Sequence, residues 1–259
     1  MSRFIDKLNQ VSQVVPQSIG FGKAQPVSEK PKILLIANLT EASAGSLADY
    51  TVGADAKLLH IPKLSSGAKN LKEISQTAPN VPWGGWLKDI SKNKMKQMVE
   101  AGCDFAVFPA ANTPLALLQN DEIGKILEVE TSLSEGLLRA INELPIDAVL
   151  ITAEQKREYF LTWHHLMLFQ RSADLLTKPL LTSIPPNVTA NELQALWEAG
   201  VDGIVIEVGT GQPVDRLKKL RQVIDKLAFP SRHKRGKAEV LLPHIDRETS
   251  MVTEEEEEE

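Results

Sequence analysis

Glu198 to Pro213 reads EAGVDGIVIEVGTGQP: a glycine at the end of a helical pattern, an aspartate, an apolar run of strand length, and a glycine-rich turn. Glu100 to Pro114, EAGCDFAVFPAANTP, opens in the same way. Gly102 and Gly200 stand where a helix closes in left-handed backbone, which glycine adopts without a Cβ clash. A helix stop, a short turn and then a buried strand is what a repeating parallel α/β chain requires.

Working outward, strand-length apolar runs alternate with helical patterns eight times. The strands begin at Lys32 (KILLIA), Ala56 (AKLLHI), Val81 (VPWGGWL), Asp104 (DFAVFPA), Lys125 (KILEVE), Asp147 (DAVLIT), Lys178 (KPLLTSI) and Asp202 (DGIVIEV). Between them lie helical segments such as KNKMKQMVEAG, LSEGLLRAINEL, LTWHHLMLFQRSADLL and TANELQALWEAG, and PVDRLKKLRQVIDKL follows the last strand. Thr189 with Glu192 forms a capping box at one helix start. The chain also echoes itself by halves: KILLIA resembles KILEVE, and EAGCD resembles EAGVD, which pairs strands one with five and four with eight.

Eight such units predict an α/β fold, a (β/α)8 barrel over residues 32–229, preceded by an N-terminal segment (1–31) and followed by a C-terminal extension (230–259). Phe4, Ile5, Leu8, Val11 and Val15 recur at helical spacing, so the first segment is expected to hold an amphipathic helix packed on the body. Glu254 to Glu259 are expected to form a disordered, self-repelling acidic tail.

Ala199 to Gly211, AGVDGIVIEVGTG, resembles strand eight of phosphate-binding TIM barrels, including the ribulose-phosphate-binding and flavin-binding groups. The resemblance implies an anion held by the loop after strand eight, and FMN as one such ligand. The half-barrel isomerases of histidine biosynthesis share the internal repeat but use acidic residues at strands one and five. Here those positions are read as Ala37 and Glu130, so that reaction is not expected.

Barrel enzymes place chemistry at the C-terminal ends of the strands, where the loops surround one mouth. Asp55, Asp104, Asp147 and Asp202 precede strands two, four, six and eight and supply a common register. Five residues further on lie His60, Pro109, Thr152 and Glu207. In strand eight, Ile204, Ile206 and Val208 suit the helices, which turns Gly203, Val205 and Glu207 to the axis. His60, Thr152 and Glu207 are therefore expected in one interior layer. His60 with Glu207 makes an acid/base pair, the carboxylate orienting an imidazole that titrates near neutrality.

Glu128 and Glu130 of strand five share the inward parity. Glu130, nearer the mouth, is the third catalytic candidate. Glu128 is expected deeper, paired with a basic group or protonated, because an isolated buried charge loses its hydration.

Gly209, Thr210 and Gly211 stand before the final helix, where backbone N–H groups and the helix terminus favour an anion, and Ser183 and Asn187 after strand seven add donors. Trp83, Gly84, Gly85 and Trp86, with Lys88, are read either as an aromatic wall over a substrate or as packing on a helix. Strand six offers no Schiff-base lysine, Lys156 lies beyond it, and Lys57 has helix-facing parity. His164 and His165 are adjacent and so do not share a helix face; with no HExxH or Cys/His cluster, no metal site is expected.

Composition limits the partners. The 259 residues are 42% hydrophobic and 24% charged, and one cysteine, Cys103 in an apolar run, excludes an intrachain disulfide. The formal charge is −5, of which the terminal glutamates contribute six negative charges, so the body is close to neutral. The one basic cluster, Arg232 to Lys237, is too short for a nucleic-acid surface. No membrane span, signal peptide or nucleic-acid partner is expected, and a cytoplasmic location and a homodimer are the default expectations. The leading expectation is a lyase or isomerase acting on a small anionic, phosphorylated metabolite. The alternatives are an FMN oxidoreductase and a non-catalytic, partner-binding barrel.

Overall fold

Eight strands form the body: β1 (Leu34–Leu39), β2 (Ala56–His60), β3 (Trp83–Trp86), β4 (Phe105–Pro109), β5 (Gly124–Glu130), β6 (Ala148–Thr152), β7 (Leu180–Ile184) and β8 (Gly203–Val208). Each runs parallel to the next and β8 returns to β1, so the sheet closes into a (β/α)8 barrel. The computed structural model describes residues 2–12, 32–39, 51–60, 80–87, 92–115, 122–152, 160–209, 213 and 215–227. The helices among them are α1 (Arg3–Ser12), α2 (Lys92–Glu100), α3 (Glu135–Ile141), α4 (Trp163–Leu175), α5 (Ala190–Glu198) and α6 (Arg216–Lys226). The acidic tail, Val15 and the basic cluster lie outside the described residues.

The strands are apolar on both faces because each is covered twice, by the barrel interior and by the helices outside. Local chemistry agrees at the helix ends. Thr189 and Glu192 cap α5 reciprocally, Ser134 accepts from Leu137 N–H at α3, and Gly102 and Gly200 have φ of 81° and 92°. At α4, His165 takes the glutamate's place in a capping box with Thr162, its Nδ1 accepting from the Thr162 N–H at 3.1 Å. Burial and the neighbouring His164 lower the His165 pKa, in keeping with an imidazole that accepts.

The repeated aspartates have a physical cause. Asp55 accepts from the Leu35 N–H at 2.9 Å, Asp147 from Lys125 at 2.7 Å and Asp202 from Leu180 at 2.8 Å. Each carboxylate thus clamps the start of the preceding strand at the N-terminal face. Asp104 departs from the pattern: it accepts from the N–H groups of Arg3 and Phe4 and from the Ser2 hydroxyl, capping α1.

That cap seats α1 across the N-terminal end of the barrel. Phe4 and Leu8 are fully buried, and the Phe4 ring lies 4.6 Å from that of Phe105, an inward residue of β4. Burying two such side chains contributes about 1.5–3 kcal/mol each. Gly84 and Gly124 make room: a Cβ at Gly84 would enter the Phe105 ring, and one at Gly124 would lie 2.6 Å from Ile5 Cγ1. The amphipathic reading of the first segment holds for Phe4, Ile5, Leu8 and Val11, all buried.

Candidate functional site

With one end of the barrel closed by α1, the strands' C-terminal ends form the other. Inward parity there is established by a contact that skips a strand. Trp86 Nε1 on β3 donates to Glu128 Oε2 on β5 at 2.7 Å, past β4, which is possible only through the interior. His60 on β2 packs against Trp86 with ring centroids 4.7 Å apart.

Because the strands tilt, hydrogen-bonded partners are not level; each step to the next strand moves the level position on by about one residue. Applied to the observed partners, this places Asn38, Trp86, Glu128 and Ser183 of the odd strands in one ring. The even strands place His60, Pro109, Thr152 and Glu207 in the ring above it. Asn38 and Glu207 are direct register partners.

The lower ring differs from expectation. Glu128 is half-buried, deeper than Glu130 as expected, but its partners among the described residues are neutral donors, Trp86 Nε1 and the Thr152 hydroxyl at 3.3 Å, rather than the basic group that was one of the two alternatives. Thr152 therefore reaches down to hold Glu128. Glu130 is exposed at the rim, where it accepts from the Ser132 hydroxyl at 3.3 Å.

The tryptophans divide between the two readings made of them. Trp86 faces the axis, while Trp83 has the opposite parity and is buried outside the barrel, its Nε1 lacking a hydrogen-bond partner among the described residues. Lys88 and Lys156 lie outside the described residues. Lys57 faces outward as expected; burial lowers its pKa, but the axis is on the far side of the strand. Cys103 is buried, donates to the Phe105 carbonyl at 3.1 Å, and has its thiol pKa pushed up by desolvation, which makes it unreactive.

Residues from two strand ends converge beside β7 and β8. Ser183 is buried with inward parity, Asn187 is exposed in the turn after β7, and Gly209 directly follows β8; Thr210 and Gly211 lie outside the described residues. Arg216, the first residue of α6, donates through Nε to the Pro186 carbonyl at 2.8 Å, bringing a guanidinium to the β7 turn. Burial lowers its pKa, but an arginine stays charged.

Sequence reading missed Asn38 and Arg216. Ala37 was assigned to the strand-one site, but the register turns Ala37 outward and Asn38 inward. Asn38 is only 3% exposed and its Oδ1 has no hydrogen-bond partner among the described residues. A polar residue in the run KILLIAN was the available signal. Among the described residues no three His, Cys, Asp or Glu side chains form a metal-binding group, and no helix is long and apolar enough to cross a membrane.

No protein-family description and no curated sequence matches the chain. Solved structures do. A mutant tryptophan synthase alpha-subunit from Pyrococcus furiosus superposes with a TM-score of 0.57 at 14% identity, covering 75% of this chain and 97% of its own. A protein from Aquifex aeolicus VF5 gives 0.56 at 12% identity, covering 90% of this chain and all of its own. At these identities the likeness is one of fold.

Proposed function

We propose that this protein is a barrel enzyme that moves a proton on a small anionic, phosphorylated metabolite, in a lyase or isomerase reaction. The observation that carries the reading is the ring of His60, Thr152 and Glu207 at the C-terminal end of the strands, directly above a second polar ring. Glu207 is the base that takes a proton from substrate, His60 the acid that returns one, and Glu130 a rim carboxylate assisting exchange with solvent. Thr152 acts by holding Glu128. The anion sits between the turns after β7 and β8, on Ser183, Asn187 and the backbone of Gly209, Thr210 and Gly211, with the Arg216 guanidinium in support. The structural neighbours include tryptophan synthase alpha-subunits, which is compatible with a lyase.

The test is hydrogen exchange in D2O, read by proton NMR over a panel of small phosphorylated carbonyl compounds. The wild-type protein exchanges a carbon-bound proton of at least one. Glu207→Gln lowers that rate roughly 10²–10⁴-fold with circular dichroism unchanged. Exchange retained in the variant removes Glu207 from the mechanism.

One observation favours a second reading, a filled barrel without catalysis: Trp86, Glu128 and Thr152 already bond to one another across the mouth. Under it no compound of the panel exchanges, and Glu207→Gln leaves function intact.

A further inference from the structure

We infer that the lower ring of the mouth binds the protonated amine of a small ligand, seated between Asn38 and Glu128. This rests on the mouth being the ligand site, as above, and adds the chemistry of the ligand's inner end; with an anion at the β7 and β8 turns, the ligand is a zwitterion.

Asn38 Oδ1 is a buried acceptor with no donor among the described residues. Such an atom costs on the order of 1–3 kcal/mol relative to a satisfied one, so it marks a place where a donor belongs. Glu128 lies in the same ring, and its partners among the described residues are two neutral hydrogen-bond donors. Among the described residues, the ion pairs of Arg171 with Glu135 and of Arg221 with Asp55 and Asp225 involve none of the ring.

Counting donors decides the ligand class. The single N–H of the Trp86 indole is used on Glu128, and so is the Thr152 hydroxyl. The ring also holds the Asn38 NH2 and the Ser183 hydroxyl as donors, yet among the described residues the Asn38 amide oxygen stays unmatched beside a carboxylate that can still accept. An alkylammonium is donor-only, with three N–H groups and one positive charge; a hydroxyl brings one donor together with its own lone pairs, and a phosphate brings lone pairs and negative charge. Of these three, the ammonium supplies both a donor to the unmatched acceptor and a positive charge to the carboxylate.

The indole N–H of Trp86 reports on the site because it donates to Glu128. In the 259-residue chain, ¹⁵N-labelled tryptophan gives four indole cross-peaks, one per residue, and Trp86→Phe identifies the relevant one. Ethylammonium chloride shifts the Trp86 peak saturably, while ethanol and tetramethylammonium chloride at equal concentration do not. Asn38→Leu weakens the ethylammonium response about fivefold, the loss of one hydrogen bond. Glu128→Gln, which retains acceptor oxygen for Trp86, abolishes it. The peak dispersion of each variant reports its folding.

A response equal for ethylammonium and tetramethylammonium, no saturable response, or a response unchanged in Glu128→Gln overturns the inference. The exchange experiment fails separately. Deuterium exchange lost in Glu207→Gln without an ethylammonium response keeps the proton-transfer reading and removes the amine. An ethylammonium response with undiminished exchange in Glu207→Gln does the reverse.

Discussion

The two ends of the barrel treat their polar groups in opposite ways. At the N-terminal end, carboxylates meet donors from their own chain: Asp55, Asp147 and Asp202 each take a strand N–H, and Asp104 takes the first turn of α1. Phe4 and Phe105 fill the space between. At the C-terminal end, among the described residues, Glu128 has only neutral partners and Asn38 Oδ1 has none. The fold can leave those groups dissatisfied because the opposite end is closed and well bonded, which is the division of labour expected of a barrel whose loops carry function.

The contrast can be broken most severely from below. Phe105→Ala removes the ring that joins α1 to the interior and is expected to cost about 3–5 kcal/mol in denaturant unfolding. A loss well under that range would mean that α1 adds little to the closed end. Asp104→Ala uncaps α1 and is expected to cost about 1–2 kcal/mol, with hydrogen exchange rising first in the amides of Arg3 to Leu8.

At the mouth the sign reverses. Asn38→Leu replaces an unmatched buried acceptor by apolar volume and is expected to raise stability by about 1 kcal/mol while impairing ligand binding. A destabilised Asn38→Leu would show that the amide is bonded in solution and that the two ends are less different than argued.

The smallest effect is pH-dependent. Because the folded-state pKa of His165 is lowered from 6.5, its contribution is fully present above 6.5 and is lost as pH falls from there through the folded value. His165→Glu, which copies the Thr189 and Glu192 box, is expected to remove that slope from the unfolding free energy between neutrality and mild acid. An unchanged slope would place the titrating group elsewhere.

Much of this was legible in the chain. Strand positions followed from apolar runs and helix stops, and even the level of His60, Thr152 and Glu207 followed from counting five residues from each aspartate. The count works because each of those aspartates enters its strand through a backbone bond to the preceding strand, so the side-chain period of two keeps step in all of them. Strand one has no such aspartate to count from, and there the register was misjudged by one residue: Ala37 was chosen and Asn38 is the inward one. For Glu128 the greater depth was legible in the chain, but its partners were not. Its partners Trp86 and Thr152 lie 42 and 24 residues away, at separations no local pattern encodes.

What the sequence by itself determined, then, was the repeating unit and the order of its faces, because those depend on periodicity, helix stops and caps that act within a few residues. Which end α1 closes, why the Asp104 carboxylate alone turns from the preceding strand to α1, and that Asn38, Trp86 and Glu128 share a ring were decided only by closure of the barrel. Closure sets residues distant in sequence at one height around an axis, and the chemistry of the mouth belongs to that ring.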